Sequence, residues 1–341
     1  MSTTLAPPVM STIRRYADRW VIGIAFANLV AQIGIILTGG VVRLTGSGLG
    51  CSTWPQCEPG EFAPVLHAES TYHPIIEFGN RTLTGILGVV AIALVVAIWF
   101  APATDGRSGL KKLAFLPLAG VIFQAVLGGV TVLLHLHPGV VGVHFLVSAA
   151  LVWGSAYLLD RLREGDGAPN PILAPSGWKA LWLRAVPATF AVLTAIVVTL
   201  GVLTTGSGPH SGDSEVGYRF ALDPALIARV HALSVWLFIA ALALTVVAIY
   251  RSTAVESQRA AMPRLHRRWW ILVVVTLAQG LIGYAQYFTG LPVPLVAIHL
   301  LGSALLVAAV TFAITSLRTR EFHADRGIQD AYSFKDASPT L

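Results

Sequence analysis

Long stretches without charge constrain this chain more than any of its other features. Eight apolar runs occur along its 341 residues, each with the roughly 20 residues that an α-helix needs to cross a bilayer. They lie at about residues 20–42, 74–100, 113–134, 139–159, 180–204, 224–250, 269–289 and 294–317. Because lipid offers no partner to backbone N–H and C=O groups, only helices and closed barrels cross membranes. Runs of this length favour helices, so the sequence predicts an all-α integral membrane protein with eight transmembrane helices.

The distribution of charge predicts how these helices are oriented. Only 12% of the residues are charged, against about a quarter in globular proteins, and the net charge of +6 arises from Lys and Arg in short loops. This pattern is a topology signal, so we expect membrane lipid and no nucleic acid as a partner. All but four of the 23 Lys and Arg residues fall in the two tails and in the loops after the second, fourth and sixth runs. The positive-inside rule places these segments, and both termini, in the cytoplasm.

One segment of the chain occurs twice, at residues 124–150 and 279–305. Both copies read Q-x-x-x-G, then a turn that contains proline, then an apolar helix with H-x-x-x-S-A. The copies are 155 residues apart, which makes His144 and His299 equivalent. The tetrapeptide Thr-Gly-Ser-Gly also recurs after the first apolar run of each half. A repeated pattern with fixed punctuation indicates duplication, so we expect two pseudo-symmetric four-helix bundles.

The duplication divides the chain into five parts. We expect a cytoplasmic N-tail (1–19), an N-terminal four-helix bundle (20–160), a cytoplasmic linker (161–179), a C-terminal four-helix bundle (180–317) and a disordered cytoplasmic tail (318–341). Each bundle would then hold four of the eight apolar runs.

Three histidines interrupt the apolar runs at one depth. His144, His231 and His299 lie five to eight residues inside helices that enter from the outer side, or roughly 8–12 Å below the interface. An ionisable residue at this depth is a functional hypothesis by default. Two facing imidazoles are the usual axial ligands of a b-type haem, which favours a haem between His231 and His299. The alternative is that each histidine bonds a serine or a backbone carbonyl of a neighbouring helix.

The second apolar run breaks the symmetry. It carries Asn80 at the position that matches His231, and Glu77 lies one turn earlier on the same helix face. A carboxylate in hydrocarbon must pair, become protonated or act chemically, and Arg81 is the candidate for a salt bridge to it. The residues alone do not decide whether Glu77 forms this salt bridge or acts chemically.

Three arginines, Arg43, Arg81 and Arg229, lie near the outer ends of the helices. Guanidinium groups bind carboxylates in bidentate geometry, so these side chains are candidates to hold the propionates of a haem. The alternative for each arginine is a side chain that extends to the interface without a ligand.

Two cysteines, Cys51 and Cys57, lie in a loop that we expect to face outward. An oxidising compartment and the short separation with a proline between them favour a disulfide. A zinc site is less favoured because no second pair of ligands accompanies them.

Taken together, these residues resemble the haem A synthase family. The residues that carry the resemblance are residues 39–57 (GGVVRLTGSGLGCSTWPQC), Ile76-Glu77-Phe78 with Asn80-Arg81, Q-x-x-x-G-G-x-T-V from Gln124, and the three histidines at the family's ligand positions. The resemblance covers essentially residues 20–317.

The resemblance implies a bacterial enzyme of the plasma membrane that oxidises a ring methyl of haem o to the formyl group of haem A by successive hydroxylations, for cytochrome c oxidase biogenesis. It implies haem b as cofactor between His231 and His299, and haem o as substrate on His144 in the N-terminal bundle. Glu77 matches the family's essential, catalytic carboxylate, and the two cysteines match a pair found in part of the family. Haem O synthase and the assembly of cytochrome c oxidase are the implied partners. The alternative function is a dihaem b-type electron-transfer protein without haem-modifying activity.

Asn80 departs from the family pattern, because many members carry a second histidine here. An amide is a poor iron ligand, so the expected ligand set of the N-terminal haem is His144 alone, or His144 with another residue such as His73.

Overall fold

Long helices make up most of the fold. The computed structural model describes residues 7–65, 71–210, 212–213, 215 and 217–321, without the side chains of residues 7–19 and 103. Within these residues the α-helices are α1 (Pro7–Leu44), α2 (His73–Phe100), α3 (Ser108–Leu113), α4 (Phe115–Leu133), α5 (Pro138–Arg163), α6 (Trp178–Ser207), α7 (Pro224–Tyr250), α8 (Met262–Phe288) and α9 (Val293–Thr315). Eight segments are long and apolar enough to cross a membrane, since α3 and α4 together form the third span. The prediction of an all-α membrane protein with eight such helices is confirmed.

Short elements connect the helix ends. Two 3₁₀ helices cover Pro102–Thr104 and Glu256–Ala261, and the four two-residue strands are β1 (Asn170–Pro171), β2 (Leu173–Ala174), β3 (Thr253–Ala254) and β4 (Arg318–Thr319). β1 pairs antiparallel with β4, and β2 pairs antiparallel with β3. The linker therefore adds a strand to the residues after α9 and another to the loop after α7.

The helices extend beyond the apolar runs. α1 is continuous from Pro7, so helix already begins within the predicted N-tail, and α5 continues to Arg163 inside the predicted linker. Charged residues end an apolar run but do not end a helix, because Arg and Glu are good helix formers. Residues 322–341, most of the tail predicted to be disordered, lie outside the described residues.

Proline marks where several spans begin. α2, α5, α7, α8 and α9 each have proline within their first two positions, where the missing N–H is not needed and the ring presets φ for a helix. In α7, the Asp223 carboxylate also caps the helix by accepting from the N–H groups of Ala225 at 2.8 Å and Leu226 at 3.2 Å. These starts determine how deep the following side chains lie.

Each set of four consecutive spans forms a closed ring of contacts. α1 and α4 both contact α2 and α5, while α6 and α8 both contact α7 and α9. The two rings meet where α9 packs against α1 and α5. This arrangement agrees with two four-helix bundles, and their pseudo-symmetric relation and the five proposed domain limits stay predictions.

Packing is dense at one end of the helices. We call the end with Arg163 and Tyr250 the basic end, because the Lys- and Arg-rich loops adjoin it, and the end with Leu44 the distal end. Buried residues that pack together near the basic end include Leu94, Ile98, Val152, Ala156 and Leu159 in the first ring and Val186, Phe190, Leu265, Trp269 and Leu272 in the second. Interdigitated cores of this kind resist deformation. The basic half is therefore the scaffold of the molecule.

A buried carboxylate joins the two rings at the basic end. Asp160 of α5 is 1% exposed and accepts from Nη1 and Nη2 of Arg268 on α8, both at 2.6 Å. The hydroxyl of Thr315 on α9 also donates to it. Asp160 and Thr315 are 155 residues apart, the same offset as the repeated segment. Three helices thus share one charge that lies away from water.

Further ion pairs hold the linker beside this carboxylate. Nε of Arg107 and Nη2 of Arg161 each donate to Asp166 at 2.6 Å. Partial burial would raise the pKa of the Asp166 carboxyl, but the two guanidinium groups together lower it below its usual value. Asp166 therefore stays charged and ties the linker to α5 and to the residue before α3.

Asp160→Ala should destabilise the protein strongly, because the buried charge of Arg268 would lose its carboxylate partner. Breaking a buried pair in this way costs about 3–5 kcal/mol. The measurement is the thermal unfolding midpoint of purified protein in detergent. Glu256→Ala is the matched control, because it removes an exposed ion pair to Arg259 (2.8 Å) and should leave the midpoint unchanged. Equal midpoints for the two variants would contradict the role assigned to Asp160.

Candidate functional site

A large cavity occupies the distal half of the molecule. Its volume is about 1280 Å³, more than the roughly 300–1,000 Å³ of a pocket for one drug-sized ligand. Residues from both rings line it, on α1, α2, α4 and α5 as well as on α6, α7, α8 and α9. The two candidate haem positions therefore belong to one continuous space.

The three histidines lie on the wall of this cavity. His144 of α5, His231 of α7 and His299 of α9 all line it. Each lies about two turns after the proline-marked start of its helix, which is why the three reach a similar depth. Within the described residues no group of three or more His, Cys, Asp or Glu side chains converges on a bare metal ion. Any metal held by these histidines would have to bring other ligands of its own.

A glycine of the preceding span faces each histidine ring. A Cβ atom built on Gly128, Gly201 or Gly283 would lie 3.4–3.5 Å from Cε1 of His144, His231 or His299, respectively. A larger side chain at these positions would press on the imidazole. The same small-residue arrangement therefore occurs three times, and it leaves each ring free space beside the helix.

The Nδ1 atoms of these rings lack partners among the described residues. Nδ1 of His144, His231 and His299 is buried and makes no hydrogen bond that meets normal geometry to any described residue, although the backbone of Val197 lies near the His231 ring. An unpaired buried polar group is costly, on the order of 1–3 kcal/mol. This observation argues against the alternative that the histidines serve only as hydrogen-bonding residues between helices.

The serines near the histidines bond backbone carbonyls instead of imidazoles. Ser148 donates to the carbonyl of His144 at 3.1 Å, and Ser234 donates to that of His231 at 2.7 Å. Two glutamines from the repeated segment act on the same carbonyls. Nε2 of Gln124 donates to the carbonyl of His144 at 2.9 Å, and Nε2 of Gln279 to that of His299 at 3.0 Å.

The sequence repeat contained both glutamines, but their contact with the histidine backbone was not foreseen. In each ring the glutamine comes from the span before the histidine, so it ties two neighbouring helices together at the level of the ring. This contact holds the histidine-bearing helix at a fixed height beside the cavity.

Asn80 lines the cavity where the symmetry would place a fourth histidine. Its Oδ1 accepts from the hydroxyl of Thr38 on α1 at 2.8 Å. His73 is engaged elsewhere, because its Nδ1 lies 2.9 Å from the hydroxyl of Ser47, and it is not among the residues that line the cavity. In the described part of the chain, His144 therefore has no second histidine in its own ring that faces the cavity.

Glu77 forms the salt bridge that the sequence left as one of two readings. The residue is 5% exposed, and its Oε1 accepts from Nη2 of Arg81 at 2.5 Å and from Nε at 3.1 Å. Its Oε2 accepts from the backbone N–H of Cys51 at 2.6 Å. Nη1 of Arg81 donates to the carbonyls of Thr53 and Gln56 at 2.9 and 3.1 Å. The carboxylate thus fixes the loop that contains the cysteines.

That loop covers the first ring at the distal end. Cys51 and Cys57 form the predicted disulfide, which excludes the zinc alternative. Between them, Trp54 lines the cavity and lies so close to Gly129 of α4 that a Cβ there would collide with the indole. Glu77 and Arg81 therefore hold a wall of the cavity through this loop.

The three candidate arginines differ in how many of their N–H donors are already used by other residues. All line the cavity, but Arg81 is committed to Glu77 and the loop. Nε and Nη2 of Arg43 donate to the carbonyls of His210 and Thr205 at 2.8 and 3.1 Å. Arg229 is exposed and has no partner among the described residues. Arg229 has the most donors available for a ligand, followed by Arg43.

The second ring opens toward the outer surface of the helices. Several residues that line the cavity on α7 and α8 are also strongly exposed: Leu233, Trp236, Leu281, Tyr284 and Phe288. The Nε1 of Trp236 donates to the Tyr284 hydroxyl at 3.1 Å across these two helices. A lipid-soluble molecule could therefore reach the cavity sideways between α7 and α8.

These features fit a flat cofactor with a metal at its centre. Three imidazoles line the cavity and could bind a metal, glycines leave space beside them, and arginines lie at the end where carboxylates would prefer to be. His231 and His299 line this cavity from α7 and α9.

The sequence matches a family model described as cytochrome oxidase assembly protein, COX15-CtaA, over residues 19–311. The chain belongs to this family. Curated relatives are named heme A synthase. The relatives from Halalkalibacterium halodurans and Shouchella clausii are 31% and 32% identical, over 50% and 46% of this chain and 54% and 52% of their own length. The relative from Geobacillus kaustophilus is 25% identical over 87% of this chain and 91% of its own.

The chain thus spans about half the length of the first two relatives in these alignments, and most of the third. The family that the sequence motifs resembled is confirmed. In this family member, the matched region contains every residue that lines the cavity.

Glu77→Ala should loosen the loop, because Arg81 and the N–H of Cys51 would lose their shared acceptor. Hydrogen bonds to a charged group contribute about 1.5–3 kcal/mol. We expect a lower thermal midpoint and faster proteolysis within residues 51–57. The control is Glu58→Ala, in the same loop, whose side chain makes no ion pair to a described residue. Unchanged proteolysis in Glu77→Ala would contradict a structural role for this carboxylate.

Proposed function

We propose that the protein is a haem A synthase, an oxidoreductase that converts a ring methyl of haem o to the formyl group of haem A by successive hydroxylations. The observation that carries this proposal is the set of three imidazoles, each beside a glycine, that line one cavity. The names of the curated relatives support the choice of reaction. The cavity extends through both rings, which supports two haem positions.

The two rings would have different roles. His231 and His299 line the cavity from opposite helices of the second ring, α7 and α9, and would hold a resident haem b. His144 would hold haem o in the first ring, where Asn80 leaves the opposite side without an imidazole. When bound, the haems supply the redox chemistry of the reaction. An iron with one open side suits a substrate that must enter and leave.

The surrounding residues would position the substrate. Gln124 and Ser148 fix the backbone of His144, and Trp54 closes the first ring from the distal end. Arg229 and Arg43 are the proposed partners of the propionates, because they retain free donors. Arg81 is a weaker candidate because Glu77 and the loop use most of its donors.

Glu77 stays our proposed essential carboxylate. Its contacts support action through the loop and Arg81, since both of its oxygens already accept hydrogen bonds. A catalytic role would require one of these bonds to open so that the carboxylate can reach the substrate.

We further propose a location in the plasma membrane with both termini in the cytoplasm. The concentration of Lys and Arg at the basic end supports this orientation. Haem O synthase would supply the substrate, and the assembly of cytochrome c oxidase would use the product.

The proposed activity predicts haem A in cells that make haem O but have no other haem A synthase. Pigments extracted after expression of the chain should contain haem A, and His144→Ala should abolish it. His135→Ala is the control, because this exposed histidine lies in the turn before α5 and does not line the cavity. A haem-loaded, correctly inserted protein that yields no haem A would favour the dihaem electron carrier instead.

Replacing single histidines should separate the two haem positions. His231→Ala should remove the b-type absorption spectrum of the purified protein, whereas His144→Ala should keep it and lose the ability to bind added haem O. Loss of the stable b-type spectrum from His144→Ala alone would reverse the assignment of the two rings.

A further inference from the structure

A buried glutamine in the first ring has no role in the site as described so far. Gln32 of α1 lines the cavity and is 2% exposed. It lies midway along the span Trp20–Leu44, roughly 18 Å from each end. An uncharged amide at this depth is still expensive, because hydrocarbon cannot hydrogen-bond to it.

Gln32 makes no hydrogen bond to any described residue. Its Nε2 is buried without a partner. The other amide and hydroxyl side chains that line the cavity in the first ring all have partners among the described residues: Asn80, Thr84, Gln124, Thr131 and Ser148. A neighbouring amide on the same helix is also engaged, since Nδ2 of Asn28 donates to the hydroxyl of Ser155 at 3.0 Å. Gln124 keeps an unpaired Oε1, but among these amide and hydroxyl side chains Gln32 alone makes no hydrogen bond to a described residue.

The contact between α1 and α5 gives the height of Gln32 relative to His144. Asn28 lies level with Ser155, and the two helices run in opposite directions. One turn from Asn28 toward the distal end, Gln32 lies level with the stretch between Ser148 and Leu151. This level is one to two turns deeper than His144, or about 6–10 Å.

The duplicated half of the chain lacks this polar group. Aligning the repeated Thr-Gly-Ser-Gly segments matches Gln32 with Val192 and Thr38 with Val198. The first span of each half therefore carries an amide at this position only in the first ring, which is the ring proposed to hold the substrate. A feature needed for haem binding in general would be expected in both rings.

The charge of a haem determines which edge would face Gln32. The two propionates would lie toward the distal end, because charged groups avoid the centre of a membrane. The opposite edge of the ring then points toward the membrane centre, where Gln32 lies. Haem o carries on that edge a farnesyl chain with a hydroxyl group next to the ring, and haem b carries a vinyl group there.

We propose that Gln32 is the residue that selects haem o over haem b, through a hydrogen bond to the hydroxyl of the farnesyl-bearing side chain. An amide can both donate to and accept from a hydroxyl. Apolar residues that line the cavity at a similar depth, Ile36, Leu87, Val121 and Leu151, suit the hydrocarbon chain that follows. A site built to bond a hydroxyl discriminates against an analogue that lacks it. This inference rests on the proposed function, because it takes haem o as the ligand of the first ring.

The test is a spectroscopic titration of full-length protein, purified from cells that make no haem O, with haem O and separately with haem B. Gln32→Leu should weaken haem O binding about 5- to 20-fold, the equivalent of one hydrogen bond, and leave haem B binding unchanged. Asn28→Leu is the control, because it removes a buried amide one turn away that does not line the cavity. It should leave the ratio of the two affinities as in the wild type.

Thermal unfolding provides a second readout without ligand. Gln32→Leu should melt at the same or a higher temperature than the wild type, because it removes an unpaired buried amide, whereas Asn28→Leu should melt at a lower one. A Gln32→Leu protein that keeps the wild-type preference for haem O, or that loses both haems equally, would overturn the assignment. A different outcome would contradict the proposed function but not the role of Gln32. In that case the wild type would make no haem A, while the titration would still show a preference for haem O that depends on Gln32.

Discussion

Inside a bilayer a polar side chain finds no water, and the structure of this protein depends on how each such group is satisfied. Asp160 is surrounded by Arg268 and Thr315, and Glu77 by Arg81 and the Cys51 amide, so both carboxylates contribute to stability. The imidazole Nδ1 atoms and the Gln32 amide are buried without such partners. Polar groups with partners thus hold helices and loops together, whereas groups without partners are the candidates to meet a ligand.

Dense packing at one end of the helices makes an open cavity at the other end possible. The basic half combines interlocked apolar side chains with a charge shared by three helices. Because this half is rigid, the distal half can keep helices apart without collapse. Small residues opposite the histidines and the Trp54 loop then shape a space of fixed geometry. The candidate site thus lies in the loosely packed distal half, and the densely packed scaffold lies at the basic end.

The sequence repeat agrees with two rings of similar helix contacts, and the exceptions to the repeat are the basis of the proposed division of labour. Both rings share the glutamine that bonds the backbone of the next helix's histidine. The first ring differs in Glu77, Asn80, Gln32 and its disulfide-bonded loop, and the second ring in its paired histidines and its opening between α7 and α8. At several positions the first ring carries a polar residue that the second ring does not. These differences are our reason to propose that the first ring holds the substrate and the second ring the cofactor.

The sequence by itself determined the eight spans, the disulfide, the family and the similar depth of the histidines. These features follow from local rules: apolar length, proline at helix starts and characteristic motifs. It did not show which partners the Glu77 carboxylate would have, and it missed the unpaired amide of Gln32, the short strands of the linker and the continuity of the cavity. Each of these depends on which side chains from distant segments meet. Only the tertiary structure decided them, because partners for a buried polar group come from other helices, and no spacing along the chain reveals whether a partner is present.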